Sequence, residues 1–582
     1  MKNDVVIRFI GSAGDGLVSI GLLFGKILKK HGLNVMGFRS YQSVIRGGYN
    51  NYQIRVAKDE VLSIGEDADI IVLLNKEVAL LHLPLVNKGA RIIYDPEQMN
   101  LDELGYPKDI IKLPIPLDSM TKSLTKIKVI KNIIGFGVIA YIMSLDIDII
   151  KEVIQEQFGE KGEEVIKLNY SALFAGLEYC ESKEWEHIWP NQVFVKTHQM
   201  IMGGNESAAL GLVAGGLKYF SGYPITPASS ILHYLTRYLP SMRIIVKQTE
   251  DEIAAVAMAV GASYCGARSA TASSGAGFAL KTEIIGMAAI QEVPLVIISS
   301  QRAGPSTGMA TKVEQADLFQ VYGASQGDFP KMIIAASSVE DAFYSAMEAL
   351  EFAERFQLVV IVLLDLYLSE MIATIRELPI KQNLVRHSIV DYIETPETYK
   401  RYSFTETGVS PRALPGTKNG MHFTGSSEHN EYGYSIASTK SGLPETLPIR
   451  EKMVQKRHRK IEVLKNRLEP PKIEGTPDAE VTLVSWGSTK SIVKEAMLQL
   501  EAEGITTNHL HFKYIQPFHS DEVKEIFQKT KNSFCVEMNF SGQLRNFIRL
   551  EIGYTIPYLI NRYDGELIVP SQIVNKVKEV LK

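Results

Sequence analysis

Short apolar segments of strand length alternate with helical segments through most of this chain, and no other feature restricts its fold as strongly. At the front, a strand-like run at 5–10 ends in a glycine-rich turn at 11–16, which leads into an amphipathic helix at 17–30. Further strand candidates in this part are 34–38, 70–74 and 90–94. Strands that alternate with helices predict a parallel sheet covered by helices.

The alternation recurs in two later parts of the chain. Residues 200–380 contain helices rich in small residues, such as 252–264, between strand candidates at 244–247, 269–272, 295–299, 331–335 and 358–364. Residues 480–582 contain strand candidates at 481–485 and 534–537 and a helix at 491–503. Because 582 residues are too many for one core, the predicted fold class is α/β with three α/β domains.

Domain boundaries are predicted where the periodic pattern weakens. The predicted domains are 1–190, 200–384 and 477–582, with a linker near 181–199 and an arm at 385–476. The arm is rich in Pro, Gly, Thr and Ser and ends in a charged helix at 449–467. Its aromatic residues, among them Tyr402, Phe404 and Phe423, are unusual for a disordered segment. We therefore expect the arm to be ordered and to pack on a partner.

Composition argues against several classes of protein. A net charge of −4 provides no basic face for nucleic acid. The longest apolar runs, 133–143 and 358–364, are shorter than the roughly 18–20 residues that span a bilayer, and the first residues lack a signal-peptide pattern. We therefore expect a cytoplasmic protein. Three cysteines, Cys180, Cys265 and Cys535, are too few for an iron–sulfur cluster, and we expect three buried thiols.

Four segments of the second domain carry the strongest functional signal. They are Ser-Gly-Tyr-Pro-Ile-Thr-Pro-Ala-Ser-Ser at 221–230, Gln-Thr-Glu at 248–250, Thr-Ala-Ser-Ser-Gly-Ala-Gly at 271–277 and Gln-Arg-Ala-Gly-Pro-Ser-Thr-Gly at 301–308. In this order and spacing they resemble the thiamine diphosphate pyrimidine domain of the 2-oxoacid:ferredoxin oxidoreductases. The whole chain is similar to the large subunit of that family, with a gamma-type domain fused in front of the alpha-type domains.

The resemblance implies a fold, a reaction and a partner. The implied domains are a gamma-type Rossmann-like domain, a pyrimidine-binding domain and a transketolase C-terminal-like domain. The implied reaction is the oxidative decarboxylation of a 2-oxoacid with coenzyme A, giving acyl-CoA, CO₂ and reduced ferredoxin, or its reversal. The fused organisation favours 2-oxoglutarate or a broad substrate range. Mg²⁺, the diphosphate half of the cofactor site and a [4Fe-4S] cluster are expected on a beta subunit, in a heterodimer or a dimer of heterodimers.

Three consecutive acidic residues precede the small-residue helix at 252–264. Glu250, Asp251 and Glu252 could each simply complement the helix dipole. In the family, a glutamate at this point hydrogen-bonds the aminopyrimidine ring and sustains its reactive tautomer. The resemblance assigns this role to Glu250, with Glu252 as the second choice.

Thr226 and Arg302 are the predicted contacts of the substrate carboxylate. Thr226 lies between two prolines that stiffen its turn, and in the family this threonine binds the 2-oxoacid carboxylate; the alternative is a plain turn. Arg302 follows a buried strand, where ligands of α/β domains bind, and its planar fork suits a carboxylate; the alternative is a surface ion pair. Thr307 and Lys312, in a loop expected to be mobile over the site, are possible second contacts. The remaining predicted cofactor contacts of this domain are Tyr223, Pro224, Ile225, Ser274 and Gly275.

The turn that contains Ser274 and Gly275 has backbone donors at the start of a helix. These donors either hold an anion or let the turn pack closely on the cofactor ring, and the simpler explanation is an ordinary turn of small residues. We assign the turn to the wall of the pocket.

The glycine-rich turn of the first domain departs from the dinucleotide-binding spacing, so a nicotinamide site is poorly supported. The resemblance assigns this turn, with 40–48, to coenzyme A binding. Arg46 either meets a phosphate or is structural. The predicted contacts of the first domain are Gly11, Gly14, Asp15, Gly16, Ser43 and Arg46.

Gly14-Asp15-Gly16, together with Asn50 and Asn51, imitates the motif that holds the metal of thiamine diphosphate. The two parts lie further apart than that motif allows, so this chain supplies no metal ligand in our interpretation. The active site must then form between two chains. The alternatives are a thiamine-dependent decarboxylase or transketolase-like subunit without ferredoxin, and a non-catalytic nucleotide-binding protein.

Overall fold

The computed structural model describes residues 4–13, 16–42, 47–189, 199–378, 384–436 and 444–582. The chain divides into two compact units. The first unit comprises Met1–Gly203 and Glu370–Glu377, and the second comprises Gly204–Ser369 and Leu378–Lys582. The predicted boundaries at 384 and 477 therefore fall inside the second unit.

The first part of the chain, up to residue 203, begins with the strand and the helix that the sequence predicts at 5–10 and 17–30. The strands are β1 Asp4–Ala13, β2 Asn34–Ser40, β3 Gly47–Ala57, β4 Ile70–Leu73, β5 Arg91–Tyr94, β6 Ile111–Pro114 and β7 Gln199–Gly203. The helices are α1 Leu17–Lys30, α2 Lys76–His82, α3 Leu117–Leu124, α4 Lys131–Ile142, α5 Ile147–Phe158 and α6 Glu163–Ser182.

The elements of the middle part are evenly alternating strands and helices. The strands are β8 Tyr219–Gly222, β9 Ile245–Gln248, β10 Ser269–Ser273, β11 Leu295–Gln301, β12 Lys331–Ala335, β13 Val359–Asp365 and β14 Ile372–Arg376. The helices are α7 Gly204–Ala214, α8 Ser229–Met242, α9 Glu252–Tyr264, α10 Gly275–Ile290, α11 Leu318–Tyr322, α12 Val339–Phe356 and α13 Leu366–Glu370.

The elements of the last part include the predicted arm. The strands are β15 Ile389–Tyr392, β16 Arg412–Lys418, β17 Ile473–Gly475, β18 Val481–Trp486, β19 Thr507–Phe512, β20 Tyr514–Gln516, β21 Asn532–Glu537 and β22 Tyr558–Asn561. The helices are α14 Leu447–Lys465, α15 Thr489–Ala502, α16 Ser520–Lys529, α17 Gln543–Ile552 and α18 Pro570–Leu581.

The sheet of the first unit is mixed, and the prediction of a parallel sheet is wrong for half of it. Its order is β6-β5-β4-β1-β3-β2-β14-β7. The strands from β6 to β1 run parallel, but β3, β2, β14 and β7 pair antiparallel. The connection between β2 and β3 is too short for a crossover helix, so these strands pair antiparallel. Strand β14, within the range predicted for the second domain, completes this sheet.

The main sheet of the second unit supports the candidate site. Its order is β20-β12-β13-β11-β10-β8-β9, and β12, β13, β11, β10, β8 and β9 run parallel. All seven residues of β11 and of β13 are buried, as their apolar runs predict for central strands. Strand β20, from the C-terminal part, pairs antiparallel with β12 at the edge. A separate sheet of order β17-β19-β18-β21-β22 forms the core of the C-terminal α/β layer.

The predicted arm is anchored on its own chain by a cluster of buried charges. Both carboxylate oxygens of Glu292 accept hydrogen bonds from Lys456 of α14 at 2.7 Å, and Lys460 also pairs with Glu292. Arg401 donates to the Glu292 carbonyl oxygen at 2.9 Å. Burial raises the pKa of Glu292, but the charges of Lys460, Lys456 and Arg401 outweigh burial and hold this pKa far below its usual value. The arm therefore packs on its own second unit, and packing on a partner remains a prediction.

The cysteines differ from expectation at one position. Cys180 and Cys535 are buried, but Cys265 is exposed, because it follows the last turn of α9. None of the helices in the described ranges has both the length and the apolar character of a bilayer-spanning segment.

Replacing Glu292 with Gln should lower the melting temperature of the protein strongly. The change leaves Lys456 and Lys460 buried without a carboxylate, and breaking such a pair typically destabilises by about 3–5 kcal/mol. Glu469→Gln is the matched control, because Glu469 pairs with Lys472 in solvent. Equal melting temperatures for the two variants would contradict the anchoring role of this cluster.

Candidate active site

The ends of parallel strands bring the predicted site segments of the second unit to one edge of its main sheet. In register, Gly222 of β8 lies beside Ala272 of β10, and Ser273 lies beside Ser299 of β11. Strands β8 and β10 are neighbours, although β9 comes between them in sequence. Such a reversal of strand order opens a crevice at the carboxyl ends of the strands.

Thr226 and Arg302 are in contact at this edge. Arg302 Nη1 donates a hydrogen bond to the carbonyl oxygen of Thr226 at 2.7 Å. Tyr223 at the start of the same loop is exposed, while Pro224 and Ile225 are half-buried. The structure therefore brings together the two residues that the sequence pairs as carboxylate contacts.

The three acidic residues before α9 have different environments. Glu250 is exposed, and Asp251 caps the helix by accepting a hydrogen bond from the Ala254 backbone at 2.7 Å. Glu252 is only 6% exposed, and its carboxylate makes no hydrogen bond with any described residue. Since Asp251 already satisfies the helix terminus, the buried position falls to Glu252 and not to the predicted Glu250.

The Glu252 carboxylate lies against the first turn of α10. A Cβ added to Gly277 would lie 2.5 Å from Glu252 Oε1 and 2.1 Å from Ser273 Oγ. No side chain therefore fits between these polar atoms and the helix. This close approach explains why residue 277 is glycine.

Lys281 is buried directly beneath the start of α9 and was not predicted. Its Nζ donates to the carbonyl oxygen of Glu252 at 3.0 Å and to Thr271 Oγ1 at 3.4 Å. Burial lowers the pKa of Lys281 to about 8, although the charges of Glu252 and Asp251 act in the opposite direction. The sequence carries a signal for this buried lysine, because the spacing of Phe278, Lys281 and Ile285 puts Lys281 on an apolar helix face.

Four serine hydroxyls at the ends of β10 and β11 are buried without a hydrogen-bond partner among the described residues, namely Ser273, Ser274, Ser299 and Ser300. Buried polar atoms in native proteins are normally satisfied, so this concentration fits a polar ligand. With the Glu252 carboxylate, the hydroxyls suit the donor and acceptor groups of an aminopyrimidine ring. The assignment of Ser274 and Gly275 to the pocket wall remains a prediction.

The loop after Arg302 is held by contacts with the C-terminal part of the chain. Its middle, including Thr307, is exposed. Lys312 pairs with Glu566, and the Val313 backbone donates to the Gly565 carbonyl oxygen at 3.0 Å. A role for Thr307 or Lys312 in substrate binding remains a prediction.

Asp317 and Glu314 also lie at this site and were not predicted. The Asp317 backbone N–H donates to Gln301 Oε1 at 3.0 Å, and Glu314 accepts a hydrogen bond from the Gly304 backbone at 2.9 Å. Burial raises the pKa of Asp317 to about 7, with a further contribution from the charge of Glu314 and an opposing one from Arg302. No local pattern in the sequence distinguishes this aspartate from a helix cap.

In the first unit, the predicted turn lies where parallel strands β1 and β4 end. Gly11 is buried in β1, and Gly16 directly precedes α1. Asn75, which caps α2, donates to Ser12 Oγ at 3.1 Å. Asn50 and Asn51 pair with β1 inside the sheet, which is not the loop position of a metal-binding motif. Four predicted contacts lie outside the described residues, namely Gly14, Asp15, Ser43 and Arg46.

Three family models match successive parts of the chain. Residues 6–179 match "Pyruvate ferredoxin/flavodoxin oxidoreductase", residues 210–443 match "Pyruvate flavodoxin/ferredoxin oxidoreductase, thiamine diP-bdg", and residues 479–573 match "Pyruvate:ferredoxin oxidoreductase core domain II". The site described above lies within the second match. The fold and the site thus define a thiamine-dependent oxidoreductase of 2-oxoacids.

Relatives match over the full length. The alpha subunit of 2-oxoacid:ferredoxin oxidoreductase 2 from Aeropyrum pernix is 30% identical, covering 100% of this chain and 98% of the relative. A 2-oxoglutarate oxidoreductase subunit from Mycobacterium tuberculosis is 28% identical, covering 99% and 89%. The structure of the 2-oxoglutarate:ferredoxin oxidoreductase from Magnetococcus marinus is 33% identical with a TM-score of 0.91, covering 100% of both chains. The chain belongs to the alpha subunits of the 2-oxoacid:ferredoxin oxidoreductases, with an N-terminal gamma-like domain.

Replacing Gly277 with Ala should reduce the activity of the assembled enzyme by at least about tenfold, because the new methyl group displaces Glu252 or Ser273. Gly135→Ala in α4 is the control, since the nearest atom to its added Cβ, Val72 Cγ1, lies at an ordinary contact distance of 3.8 Å and alanine inside a helix should be neutral or stabilising. Turnover and melting temperature should be measured together. Full activity in Gly277→Ala would contradict the placement of Glu252.

Proposed function

We propose that this subunit supplies the pyrimidine half of a thiamine diphosphate site and the contacts of the substrate carboxylate. In this proposal, the assembled enzyme oxidatively decarboxylates 2-oxoglutarate with coenzyme A and reduces ferredoxin. The observation that carries the proposal is the meeting, on one sheet edge, of the Arg302–Thr226 pair and the buried Glu252 carboxylate, which accepts no hydrogen bond from any described residue. Because the chain belongs to this family of ferredoxin-dependent enzymes, a ferredoxin-independent decarboxylase and a non-catalytic protein are both poorer explanations.

The choice of 2-oxoglutarate is supported by the Magnetococcus enzyme, whose structure contains 2-oxoglutarate, coenzyme A and succinyl-CoA. Arg302 can offer a planar fork to the carboxylate adjacent to the keto group. The Thr226 hydroxyl lies in the turn whose carbonyl oxygen accepts from Arg302. This turn is rigid because a proline follows Thr226. Together they orient the carboxylate that leaves as CO₂.

Glu252 is the residue that we assign to the aminopyrimidine nitrogen, in place of Glu250. When bound, thiamine diphosphate supplies the nucleophilic carbon that adds to the keto group. Glu252 holds a proton at the ring nitrogen in a site that excludes water, where such a contact is strongest. Lys281 fixes the backbone of Glu252 from below. Ser273 and Ser274 offer hydroxyls to the polar edge of the ring.

A beta subunit should complete the site. Large apolar side chains of β9, α9 and α10 are exposed, namely Ile245, Ile253, Met258 and Leu280, and exposed apolar side chains in such numbers favour an interface. In this proposal the beta subunit carries Mg²⁺, the diphosphate contacts and a [4Fe-4S] cluster that passes electrons to ferredoxin. The complex works in the cytoplasm.

Coenzyme A is assigned to the N-terminal domain. Gly11 lies near the end of β1 and Gly16 directly precedes α1, and the N-terminus of a helix suits a phosphate group. The assignment extends to the predicted contacts Gly14, Asp15, Ser43 and Arg46.

The two glutamates before α9 should respond differently to the same change. Glu252→Gln should lower kcat of the alpha–beta complex by about 10²- to 10⁴-fold, because the amide cannot exchange a proton with the ring nitrogen. Glu250→Gln should retain activity within a few-fold, because Glu250 is exposed. Steady-state kinetics of both variants decide the assignment. The reverse pattern would restore the original prediction for Glu250.

A panel of 2-oxoacids tests the substrate. We expect kcat/KM of the complex to be highest for 2-oxoglutarate, and Arg302→Lys to lower it by about 30- to 100-fold through the loss of a bidentate charged contact. Arg549→Lys, on an exposed face of α17, is the control. A clear preference for pyruvate would refute the assigned substrate, and turnover by the isolated chain would refute the shared site.

A further inference from the structure

Asp317 is a buried carboxyl group at the wall of the site, and none of the assigned roles uses it. A Cβ added to Gly275 would lie 2.5 Å from Asp317 Oδ2 and 2.8 Å from Oδ1. The carboxyl group therefore rests on the first residue of α10, in the turn that also holds the unsatisfied hydroxyl of Ser274. This turn is the wall that the pyrimidine ring is expected to face.

The position of Asp317 is imposed by its neighbours. Its backbone donates to Gln301 at the end of β11. Two residues earlier, Gln315 is fully buried and donates from its backbone to the Met538 carbonyl oxygen at 2.7 Å and from Nε2 to Asp365 Oδ2 at 3.2 Å. Gln543 Nε2 donates to the carbonyl oxygen of Ala316 at 2.7 Å. The backbone is held on both sides, so the carboxyl group cannot leave the site without breaking these contacts.

One oxygen of the Asp317 carboxyl group is unsatisfied within the described ranges. Its Oδ2 is buried without a hydrogen-bond partner, and Asp317 forms no ion pair with any described residue. An ionised carboxylate in such a place is expensive, and the neutral acid is the form that a site of this kind favours. A neutral aspartic acid can also donate a hydrogen bond, which a carboxylate cannot.

The charged groups that act on Asp317 are Glu314 in its own segment and Arg302 at the end of β11. The α10 turn presents Gly275 and Ser274, and α17 presents the amide of Gln543, and none of these is charged. Asp317 is therefore under the influence of a carboxylate that disfavours its ionisation and of the arginine assigned to the substrate, which favours it. An ionised Asp317 would interact with the charge of Arg302 in place of the substrate carboxylate, and it would repel an incoming 2-oxoacid.

We infer that Asp317 is a positioning residue that must be protonated for the substrate carboxylate to bind at Arg302. The inference rests on the proposed function of Arg302. The negative charge of the bound substrate raises the pKa of Asp317 further, so binding is linked to proton retention. The affinity for the 2-oxoacid is highest below the pKa of Asp317 in the free enzyme, which is about 7. The affinity falls as the pH rises through this value.

The test is the pH profile of the alpha–beta complex. Between about pH 6 and about pH 8.5, wild-type kcat/KM for 2-oxoglutarate should fall about tenfold per pH unit above the midpoint, chiefly through KM. Residue 317 is neutral at every pH in Asp317→Asn. The ratio of kcat/KM at the upper pH to kcat/KM at the lower pH should therefore be at least about tenfold higher in this variant than in wild type. An unchanged ratio in this variant would overturn the inference.

Glu314→Gln is the matched control. It removes a like charge that raises the pKa of Asp317, so the decline should persist but begin at a lower pH. If kcat/KM no longer fell with rising pH in Glu314→Gln but still fell in Asp317→Asn, the titrating group would be Glu314 and our inference would be refuted.

A spectroscopic measurement separates ionisation from turnover. The infrared difference spectrum of the complex between the two pH values should show the carbonyl stretch of a carboxylic acid that disappears on titration, and Asp317→Asn should lack it. Persistence of the band in that variant contradicts the inference. Absence of 2-oxoacid turnover at every pH would overturn the proposed function itself, whereas normal turnover with an unchanged ratio overturns only the role of Asp317.

Discussion

The parallel register of the main sheet is the constraint on which the candidate site depends. Strands β8, β10 and β11 end side by side, with Gly222 beside Ala272 and Ser273 beside Ser299. Because the side chains of a strand alternate between faces, a slip of one residue would reverse every contact that follows the strand. Complete burial of β11 and β13 opposes such a slip. The Thr226 turn and Arg302 are therefore held in place by apolar packing well below them.

The site combines this rigid support with incomplete polar satisfaction. Elsewhere in the second unit, the buried carboxylate of Glu292 is paired with Lys456 and Lys460. At the strand ends, four serine hydroxyls and Asp317 Oδ2 have no hydrogen-bond partner among the described residues. Natural proteins tolerate such groups mainly where a ligand satisfies them.

The elements that could be predicted are those whose signals are local. Helix Leu17–Lys30, helix Glu252–Tyr264 and strand Lys331–Ala335 were predicted with their observed bounds, because each is a clear periodic or apolar run between breakers. The pairing of β14 with β2 could not be predicted, since it joins residues far apart in sequence. The same limit applies to the site. The sequence shows three acidic residues in a row, and only the cap formed by Asp251 reveals that Glu252 is the buried one. Asp317 is placed by Gln315 and Gln301, whose contacts come from other elements.

Helix α10 begins at Gly275, and Glu292 follows its last turn. The lysines that neutralise Glu292 arrive more than 160 residues later in the chain. A fragment that ends near 378 would therefore contain every residue that we assign to the pyrimidine ring, but it would lack both lysines that pair with Glu292. A boundary near 378 is thus a poor place to cut, because it separates Glu292 from the helix of the arm that neutralises it.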